Sequence, residues 1–518
     1  MSDNKNINSA NKFEFANHGE RITDKKFDDK PISYLKDAWI RFRKNKASIV
    51  AACIIILIVL YAIIVPIITS QVTFNDIHYA KKCPRGYIAD GTKSLDFSEV
   101  GIIRKLAIGV GTLNYDGTPV SISDSIDSSY QPIKKVTNTF IKKNGKNEDV
   151  NYYTADIDDY LDYGFVYKSV EQSEYKKLVE WQEANPEYRL LFPLVEDNEY
   201  NPDAADANNW YKSKKFVPYK YNATTGKANK IKYDNVYDLV LEDNYKRDEN
   251  GNVKYYELTG GGNFETAQYK VRILYYNYYV YQHGFEPNYF LGTDSQGYDL
   301  ALRIAQGVRL SLIIAIIVSV INFILGAIYG AIEGYYGGVI DLVLERISDI
   351  LNDVPFIVVA TLFQIHLAKK VGPIPSLLFA YISTGWIGPA SRVRTQFYRF
   401  KNQEYVMAAR TLGASDRRII WKHIFPNTLG TIITSSALTI PSVIFSESML
   451  SFLGIVKLNG ADTTSLGTLL SDASSIWVNY PHLMIYPALV ISLLMISFNL
   501  FGNGLRDAFN PSLRGVEE

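Results

Sequence analysis

The stretch RVRTQFYRFKNQEYVMAARTLGASDRRIIWKHIFPN, Arg392–Asn427, is a charged connection between two apolar runs. Asn402 can cap a first helix, because an asparagine side chain accepts a hydrogen bond from an otherwise unpaired amide. Gly413 predicts a sharp turn. Ser415 is a second candidate cap, and the helix that it opens runs to the break at Pro426. The stretch therefore predicts a helix–turn–helix that lies on a membrane surface.

Apolar runs on both sides of this stretch are long enough for membrane helices, since a bilayer needs about 20 apolar residues per helix. The six runs are Ala47–Thr69, Val308–Ala331, Ile350–Leu367, Ile374–Ala390, Thr428–Phe452 and His482–Phe501, and the fourth is short and broken by glycine. A long, mostly polar segment precedes the first run, which favours a permanent anchor over a cleaved signal. We therefore expect an all-α polytopic membrane protein with six transmembrane helices and both termini on one side.

Two clusters of basic residues predict the orientation, because cytoplasmic segments are rich in lysine and arginine. One cluster ends the N-terminal tail, residues 1–46, and the other lies within residues 391–427. The clusters are Arg41, Arg43, Lys44 and Lys46, and Arg392, Arg394, Arg399, Lys401, Arg410, Arg417, Arg418 and Lys422. Six spans put both clusters on one face. Both tails, 1–46 and 506–518, are therefore predicted to be cytoplasmic, and 307–505 to form the membrane core after the first helix at 47–69.

The polar, tyrosine-rich segment 70–306 is then predicted to be an extracellular domain with its linker to the second span. It mixes a helical stretch, Glu171–Ala184, with a β-favouring one, Tyr269–Tyr281, so we expect a mixed α/β domain. Turns are predicted at Asn144–Asn147 and Glu249–Asn252. The tyrosines permit two interpretations: a recognition surface, or a half-buried sheet with a compositional bias.

The composition excludes several classes of function. The 54 basic and 54 acidic residues cancel, which gives no reason to expect a nucleic-acid partner. Two cysteines and six scattered histidines supply neither a disulfide framework nor a metal-ligand spacing. The phosphate-binding pattern GxxxxGK[ST] is absent, since Gly226-Lys227 is followed by alanine. We expect no catalytic residues, no metal and no cofactor bound by the chain itself.

The stretch Glu404–Asn427 resembles the cytoplasmic coupling loop of bacterial ABC importer permeases. That loop has an alanine pair, a glycine four residues later and a terminal proline. The matching positions are Ala408, Ala409, Gly413 and Pro426. Met407 and His423 depart from the general pattern, and both departures are similar to the peptide-transporter branch.

Other segments resemble the same family, the oligopeptide and dipeptide permeases, and in particular its C subunit. They are Trp39–Lys46, Leu291–Asp299, Glu447–Gly454 and Asn499–Asp507. Tyr298 replaces the arginine that the family usually has before the second span. The shared order of these short motifs carries the resemblance, which does not extend over the tyrosine-rich domain.

The resemblance implies a type I importer permease that is not itself an enzyme. It implies coupling to two ATPase subunits, which bind ATP and magnesium, through the following residues: Glu404, Met407, Ala408, Ala409, Arg410, Gly413, Ala414 and Ser415. It further implies a second, homologous permease subunit, an extracellular solute-binding protein, a peptide substrate and a surrounding lipid bilayer. ATP-driven closure of the ATPases would then rock the spans between inward-open and outward-open states.

Three polar residues within the predicted spans are candidates for the translocation pathway: Asn322, Glu447 and Asn499. A buried charge in a membrane helix is costly and is often functional. The alternative for each residue is hydrogen bonding that fixes helix packing. The stretch Gly334–Gly338, followed by Asp341 and Glu345, is either a further ATPase contact or a simple turn.

Other functions remain open on the sequence alone. Related cargoes are dipeptides, nickel chelates and glycans, which the same subunit family serves. A membrane sensor with an extracellular ligand domain would need a cytoplasmic output domain, and none is apparent. An intramembrane protease would need Asp353 and His366 to meet, although they lie near opposite ends of one predicted span.

Overall fold

The computed structural model describes residues 34–68, 75–84, 160–161, 163–196, 245–259, 268–458, 460, 463–478 and 480–509. It also gives the backbone of strands within 106–157 and 211–243. The turn predicted at Asn144–Asn147 and most of both predicted tails lie outside the described residues.

The chain forms a helical membrane part at both ends and, between them, one inserted domain of strands and helices. The α-helices are α1 (Tyr34–Lys44), α2 (Lys46–Ile68), α3 (Gln172–Ala184), α4 (Tyr275–His283), α5 (Leu300–Tyr336), α6 (Gly338–Asn352), α7 (Phe356–His366), α8 (Ala368–Val371), α9 (Pro373–Gly385), α10 (Ile387–Phe400), α11 (Glu404–Thr411), α12 (Asp416–Arg418), α13 (Phe425–Ala437), α14 (Thr439–Phe452), α15 (Leu466–Ala473) and α16 (His482–Phe509). The strands are β1 (Leu106–Ala107), β2 (Ile133–Lys143), β3 (Asp149–Ile157), β4 (Phe165–Val170), β5 (Leu191–Phe192), β6 (Tyr211–Ser213), β7 (Tyr219–Asn222), β8 (Lys227–Lys230), β9 (Leu241–Asp243), β10 (Tyr256–Thr259) and β11 (Gln268–Leu274).

Four helical segments in the described part of the chain are long and apolar enough to cross a membrane. They are Lys46–Ile68, Leu300–Tyr336, Ile432–Phe452 and His482–Phe509. These segments overlap the first, second, fifth and sixth predicted spans, and the third of them joins the end of α13 to α14 across Leu438. The pair α6 and α7, bent by 72°, is a fifth candidate if it counts as one broken span.

The third predicted span is wrong as a continuous helix, and the fourth, predicted to be interrupted by glycine, forms two shorter helices. Ile350–Leu367 crosses the break between α6 and α7, where Pro355 has no amide proton and disfavours helix in the preceding residue. Ile374–Ala390 falls on the two shorter helices α9 and α10. There Pro389 cannot donate to the carbonyl four residues earlier, which interrupts the hydrogen-bond ladder.

The apolar core of the membrane part lies where α5 meets α14, α15 and α16. Val308 and Ala315 of α5 are fully buried there beside Ile444, Leu466 and Leu494. The outward-facing isoleucines and leucines of the same helices are exposed, as expected for surfaces that face lipid.

A stripe of small residues brings α5 unusually close to α10. Gly326, Gly330 and Gly334 lie four residues apart on α5, so they share one face of the helix. A Cβ atom on Gly330 would overlap the backbone carbonyl of Ala390, and one on Gly326 would lie 2.6 Å from the Cβ of Pro389. Small residues allow backbones to approach in this way, and the contact joins α5 to the helix that leads into the charged connection.

The inserted domain contains a small antiparallel sheet and the predicted helix. Strand order is β10-β11-β4, and β5 also pairs with β11. The register places Arg272 opposite Tyr167 and Phe192. The predicted helix at Glu171–Ala184 is confirmed as α3, which begins at Gln172. The predicted turn at Glu249–Asn252 is also confirmed, and Gly251 has a φ of +84°.

The predicted strand Tyr269–Tyr281 is wrong in its second half, because the chain turns into α4 at Tyr275. Burial explains the difference. The residues from Tyr275 to Val280 are all buried, so the segment packs on more sides than a half-exposed strand could. Several tyrosines form the core of the domain with them: Tyr79, Tyr160, Tyr278, Tyr279 and Tyr289.

Two antiparallel backbone segments connect this domain to the membrane helices. Asp76 donates its amide to Gly297, Lys81 donates to Asp294, and Thr293 donates to Lys82, at N–O distances of 3.3, 2.9 and 3.0 Å. Asp299 then caps α5 by accepting from the amide of Ala301 at 2.9 Å. We call residues 76–84 and 292–299 the stalk, which leads directly into the long helix α5.

The buried carboxylate of Asp76 fixes the stalk to the domain core. The Tyr275 hydroxyl donates to both carboxylate oxygens, at 2.9 and 2.8 Å.

Removing the Tyr275 hydroxyl in Tyr275→Phe should lower the free energy of unfolding by about 2 kcal/mol, since its hydrogen bond reaches a charged, buried acceptor. Thermal unfolding of the purified chain in detergent measures the loss. Tyr281→Phe, whose hydroxyl donates to the more exposed Glu174, should lose less than half as much. Equal losses would contradict the special role of Asp76.

Candidate functional site

Helix α11 begins one residue later than its predicted cap would place it. Gln403, and not Asn402, is the residue before the helix, and its side chain does not bond a backbone amide there. Glu404 lies in the first turn and Arg410 in the last. Both charges complement the helix dipole, and this stabilises a short helix that has no side-chain cap.

The predicted turn at Gly413 is confirmed. Its φ is +78°, a conformation that favours glycine. The amide of Gly413 donates to Arg410 at 3.0 Å, and the amide of Ala414 donates to Ala409 at 3.1 Å. This pair of bonds is the Schellman ending of a helix, and it turns the chain sharply away from the axis of α11.

The second helical segment begins as predicted but does not end as predicted. Ser415 is the residue before α12, although its side chain makes no capping bond. A π-helical turn, Ile419–Ile424, follows and leads into α13. Pro426 therefore does not break the helix. It lies in the first turn of α13, where a missing amide proton is tolerated.

An apolar cluster holds α11 and the π-helical turn against α5 and α10. Val406 of α11 is fully buried against residues of the neighbouring elements. The other buried members are Ala327, Ala331, Tyr335, Val393, Phe397, Ile419, Ile420, Ile424 and Ile432. Ala414 packs on the edge of this cluster. We call it the anchor cluster, because it fixes one face of α11.

The hydroxyl of Tyr335, at the end of α5, ties the two sides of the turn together. It donates to Asp416 at 2.5 Å and accepts from the Arg410 guanidinium at 3.4 Å. The Arg410 guanidinium also lies 5.7 Å from the centre of the Tyr335 ring. The stretch Gly334–Gly338 thus ends α5, turns at Gly337, and contacts the charged connection from within the chain.

A second set of charges joins α6 to α10. Arg394 forms paired hydrogen bonds with Asp341, at 2.5 and 2.9 Å, and with Glu345, at 2.8 and 3.0 Å. Lys401 donates to the carbonyl of Gly334 at 2.9 Å. These bonds brace α10 on both sides of the anchor cluster.

The opposite face of α11 is open. Leu412 is 87% exposed and Met407 is 56% exposed, although both are apolar. Of the eight residues predicted to couple, two are half-buried (Ala409 and Ala414), and the others are exposed (Glu404, Met407, Ala408, Arg410, Gly413 and Ser415). We call the surface formed by Glu404, Met407, Ala408, Thr411 and Leu412 the open face. A small, rigidly supported face with exposed Met407, Ala408 and Leu412 at its centre is suited to enter a groove on another protein.

Two of the three pathway candidates lie between helices. Glu447 is buried and accepts from Ser311 at 2.7 Å and from Ser451 at 2.9 Å. Asn322 is buried and donates to the Tyr381 carbonyl at 3.3 Å. These contacts favour the packing interpretation for both residues. Asn499 is exposed on α16.

Amide hydrogen exchange in α11 measures how far the hydrogen bonds of Tyr335 stabilise this helix. Tyr335→Phe should speed amide hydrogen exchange in α11 by about 10- to 100-fold, because one hydrogen bond to charged partners contributes roughly 1.5–3 kcal/mol. Tyr336→Phe is the matched control, since Tyr336 is the neighbouring residue and its side chain is half exposed. Mass spectrometry of the peptide that contains α11 reports the rate. Unchanged exchange in Tyr335→Phe would show that the hydroxyl does not hold α11.

Two family profiles match the chain. Residues 326–515 match the binding-protein-dependent transport system inner membrane component, and residues 33–82 match the N-terminal TM domain of oligopeptide transport permease C. The second match covers α1, α2 and part of the stalk. The first covers the anchor cluster, α11 and the helices that follow.

Curated relatives agree with these profiles. The oligopeptide transport system permease protein OppC of Bacillus subtilis is 40% identical over 227 residues, which are 44% of this chain and 73% of that protein. The dipeptide transport system permease protein DppC of the same species is 40% identical over 228 residues, 44% of this chain and 70% of that protein. OppC of Escherichia coli K12 is 40% identical over 230 residues, which are 44% of this chain and 74% of that protein.

A solved inward-facing structure of the MetNI methionine ABC transporter aligns with a TM-score of 0.33 at 16% identity, over 40% of this chain and 96% of that chain. The sequence matches carry the assignment. They include relatives of which this chain covers more than two thirds, and they place the apolar helices in a membrane. The chain belongs to the membrane-embedded permeases of binding-protein-dependent ABC transporters, in the oligopeptide and dipeptide permease family.

Proposed function

We propose that the chain is one of two permease subunits in an ATP-driven importer of oligopeptides. The observation that carries the proposal is the open face of α11, held rigidly by the anchor cluster in a chain of this family. A lever must be stiff to transmit force, and one that lies on the surface can be reached by a partner. The names of the relatives support a peptide cargo.

The coupling step follows from this geometry. The open face enters a groove on an ATPase subunit, and Gly413, Ala414 and Ser415 form the turn at its end. ATP and magnesium bind on two partner ATPases, and their closure moves α11. Because Tyr335 lies at the end of α5 and contacts Arg410 and Asp416, the motion passes to a membrane helix. The chain itself performs no catalysis and binds no cofactor in this proposal.

The remaining partners follow from the size of the membrane part. One chain with this number of helices cannot enclose a wide pathway alone, so a second homologous permease completes it. An extracellular solute-binding protein delivers the cargo, and lipid surrounds the pair. The balanced charge of the chain gives no basis for a nucleic-acid partner.

The proposed topology places both termini in the cytoplasm of a plasma-membrane protein. The basic clusters near Lys44 and Arg394 then lie on the cytoplasmic side, and the inserted domain lies outside. Six crossings require α6 with α7, and α9 with α10, to cross as broken spans. The predicted boundary at 306–307 falls inside α5, which begins at Leu300.

A role in the translocation pathway is supported better for Asn499 than for Glu447 and Asn322. Asn499 is exposed on α16 and is available to a pathway or to the second permease. Glu447 and Asn322 act through packing if their interhelical bonds persist in every state of transport. Dipeptides, metal chelates and glycans are the alternative cargoes, and a membrane sensor is the alternative of a different class.

Association with ATPases separates a transporter from a sensor or a protease. The chain should copurify with its proposed ATPase subunits, and uptake should stop when those ATPases are disabled. An activity that persists with disabled ATPases would favour the sensor or the protease.

The inserted domain is proposed to dock the binding protein or to guide peptide to the pathway. Its position on the stalk at the start of α5 motivates this role. Replacing residues 86–288 with a short Gly/Ser linker should preserve the stalk, because its two strands run antiparallel. Uptake should then fall when the binding protein is limiting. Unchanged uptake under that condition would contradict the docking role and leave the permease proposal intact.

A further inference from the structure

Helix α1, just before the first membrane helix, has two different faces. Ala38 and Phe42 are buried, with exposed fractions of 3% and 5%, whereas Trp39 and Ile40 are 59% and 41% exposed. Two large apolar side chains exposed next to each other on a short helix indicate that another surface contacts them.

Contacts with the end of α16 fix the direction of the open side. The ring of Phe42 packs edge-to-face on Phe501 at 5.4 Å, and Ala508 completes the buried contact. Gly504 of α16 fits closely into this corner, since a Cβ atom there would overlap Ser48 and lie 3.3 Å from the Phe42 ring. Helix α1 therefore cannot rotate to hide Trp39 without breaking these contacts.

The same corner sets the level of α1 relative to the membrane. Asn45 separates α1 from α2, and its side chain accepts from the amide of Ser48 at 3.3 Å. The hydroxyl of Ser48 donates to the carbonyl of Leu500 at 3.2 Å. Because the apolar run of α2 begins beside Ser48, this contact marks the edge of the hydrocarbon layer. Helix α1 lies just beyond it, at the level of the lipid headgroups.

The open side combines apolar and basic side chains. Lys36, Ile40, Arg43 and Lys44 are exposed together with Trp39. Positions 36, 40 and 43 are spaced by four and three residues, so they share one side of the helix. Tryptophan prefers the membrane interface, and basic side chains next to a membrane helix attract anionic lipid.

We propose that α1 is a lipid-binding helix whose open side contacts acidic phospholipid headgroups. Trp39 and Ile40 insert between the headgroups, while Lys36, Arg43 and Lys44 bind their phosphates. Binding of the negatively charged headgroups thereby stabilises the contacts of α1 with the start of α2 and the end of α16. The proposal concerns a lipid surface and does not depend on the identity of the transported cargo.

Fluorescence quenching in nanodiscs tests the proposal with the full chain. The fluorescence of Trp39 is obtained by subtracting the tryptophan fluorescence of the Trp39→Phe protein from that of the wild-type protein. Acyl-brominated phosphatidylglycerol should quench that fluorescence at least twofold more than brominated phosphatidylcholine. Removing two charges in Arg43→Gln/Lys44→Gln should abolish the difference between the lipids. Lys176→Gln/Lys177→Gln, the same change on exposed residues of α3, should leave it intact.

Two results would overturn the proposal. One is a Trp39 that both brominated lipids leave unquenched and that aqueous iodide quenches fully. The other is a Trp39 that becomes shielded from iodide only when the ATPases or the second permease are added, which would make the open side a protein contact. Equal quenching by both lipids would contradict the role assigned to the basic residues.

Discussion

Ala408→Glu is expected to abolish stable binding of the ATPase subunits while the chain itself still folds. Ala408 is exposed at the centre of the open face, so the substitution disturbs no internal contact. In a closed contact, however, an unpaired carboxylate costs on the order of 3 kcal/mol, which corresponds to about a 100-fold loss of affinity. Titration of purified ATPase onto the immobilised permease measures this loss.

Ala184→Glu is the matched control for this experiment. Ala184 is also an exposed alanine in a helix, but it lies on α3 in the inserted domain. Its substitution should leave ATPase affinity within twofold of the wild-type value. If Ala408→Glu binds the ATPases as tightly as the wild-type chain does, the open face is not the coupling surface.

Gly330→Ala is expected to destabilise the permease although it adds only one methyl group. The new Cβ would overlap the backbone of Ala390, which cannot move aside as a flexible side chain could. Overpacking of this kind costs about 1–3 kcal/mol, and here it would separate α5 from α10 beside the anchor cluster. The melting temperature in detergent should fall, and ATPase binding should weaken because α10 leads into α11.

Gly388→Ala is the matched control for Gly330→Ala, since it also adds one methyl group to the α5–α10 pair but should not destabilise the protein. Gly388 is exposed in α10, and a Cβ atom there would meet nothing closer than the Arg392 side chain at 3.9 Å. Alanine favours helix over glycine, so this variant should be unchanged or more stable by roughly 0.5–1 kcal/mol. Similar destabilisation in both variants would show that the loss does not arise from the close approach at Gly330.

The turn at Gly413 was predicted correctly because it depends on local sequence. The positive φ at Gly413 and the start of a second helix after Ser415 both follow from neighbouring residues. The exposure of Ala408 and the half-burial of Ala409 needed the surrounding helices. Tyr335 was missed as a partner of Arg410 and Asp416, since no local pattern links residues so far apart in the chain.

The errors along the membrane part have a common cause. Apolar composition was counted without the effect of proline on the hydrogen-bond ladder, so the break near Pro355 was not expected and the one near Pro389 was attributed to glycine alone. Both prolines were visible in the sequence and could have marked these breaks. The spacing of Gly326, Gly330 and Gly334 was also visible, and it is the signal that would have indicated the close approach of α5 to another helix.

The inserted domain shows the limit of local propensity. Tyrosine and valine favour strands, which made Tyr269–Tyr281 a predicted strand. The chain instead forms α4 from Tyr275, where burial on several sides outweighs that preference. Tertiary packing of this kind is not encoded in any short stretch, so the sequence indicated a mixed domain but not where its strand ends.

Uptake by the reconstituted complex tests the central claim most directly. The chain would be coexpressed with the proposed second permease, two ATPases and binding protein, and placed in proteoliposomes with a labelled oligopeptide. We predict uptake that requires ATP and magnesium, that unlabelled peptides compete away, and that Ala408→Glu and Gly413→Pro abolish. A complex that assembles and hydrolyses ATP but accumulates no peptide would contradict the cargo. A chain that never binds an ATPase would contradict the claim that it is a coupled permease.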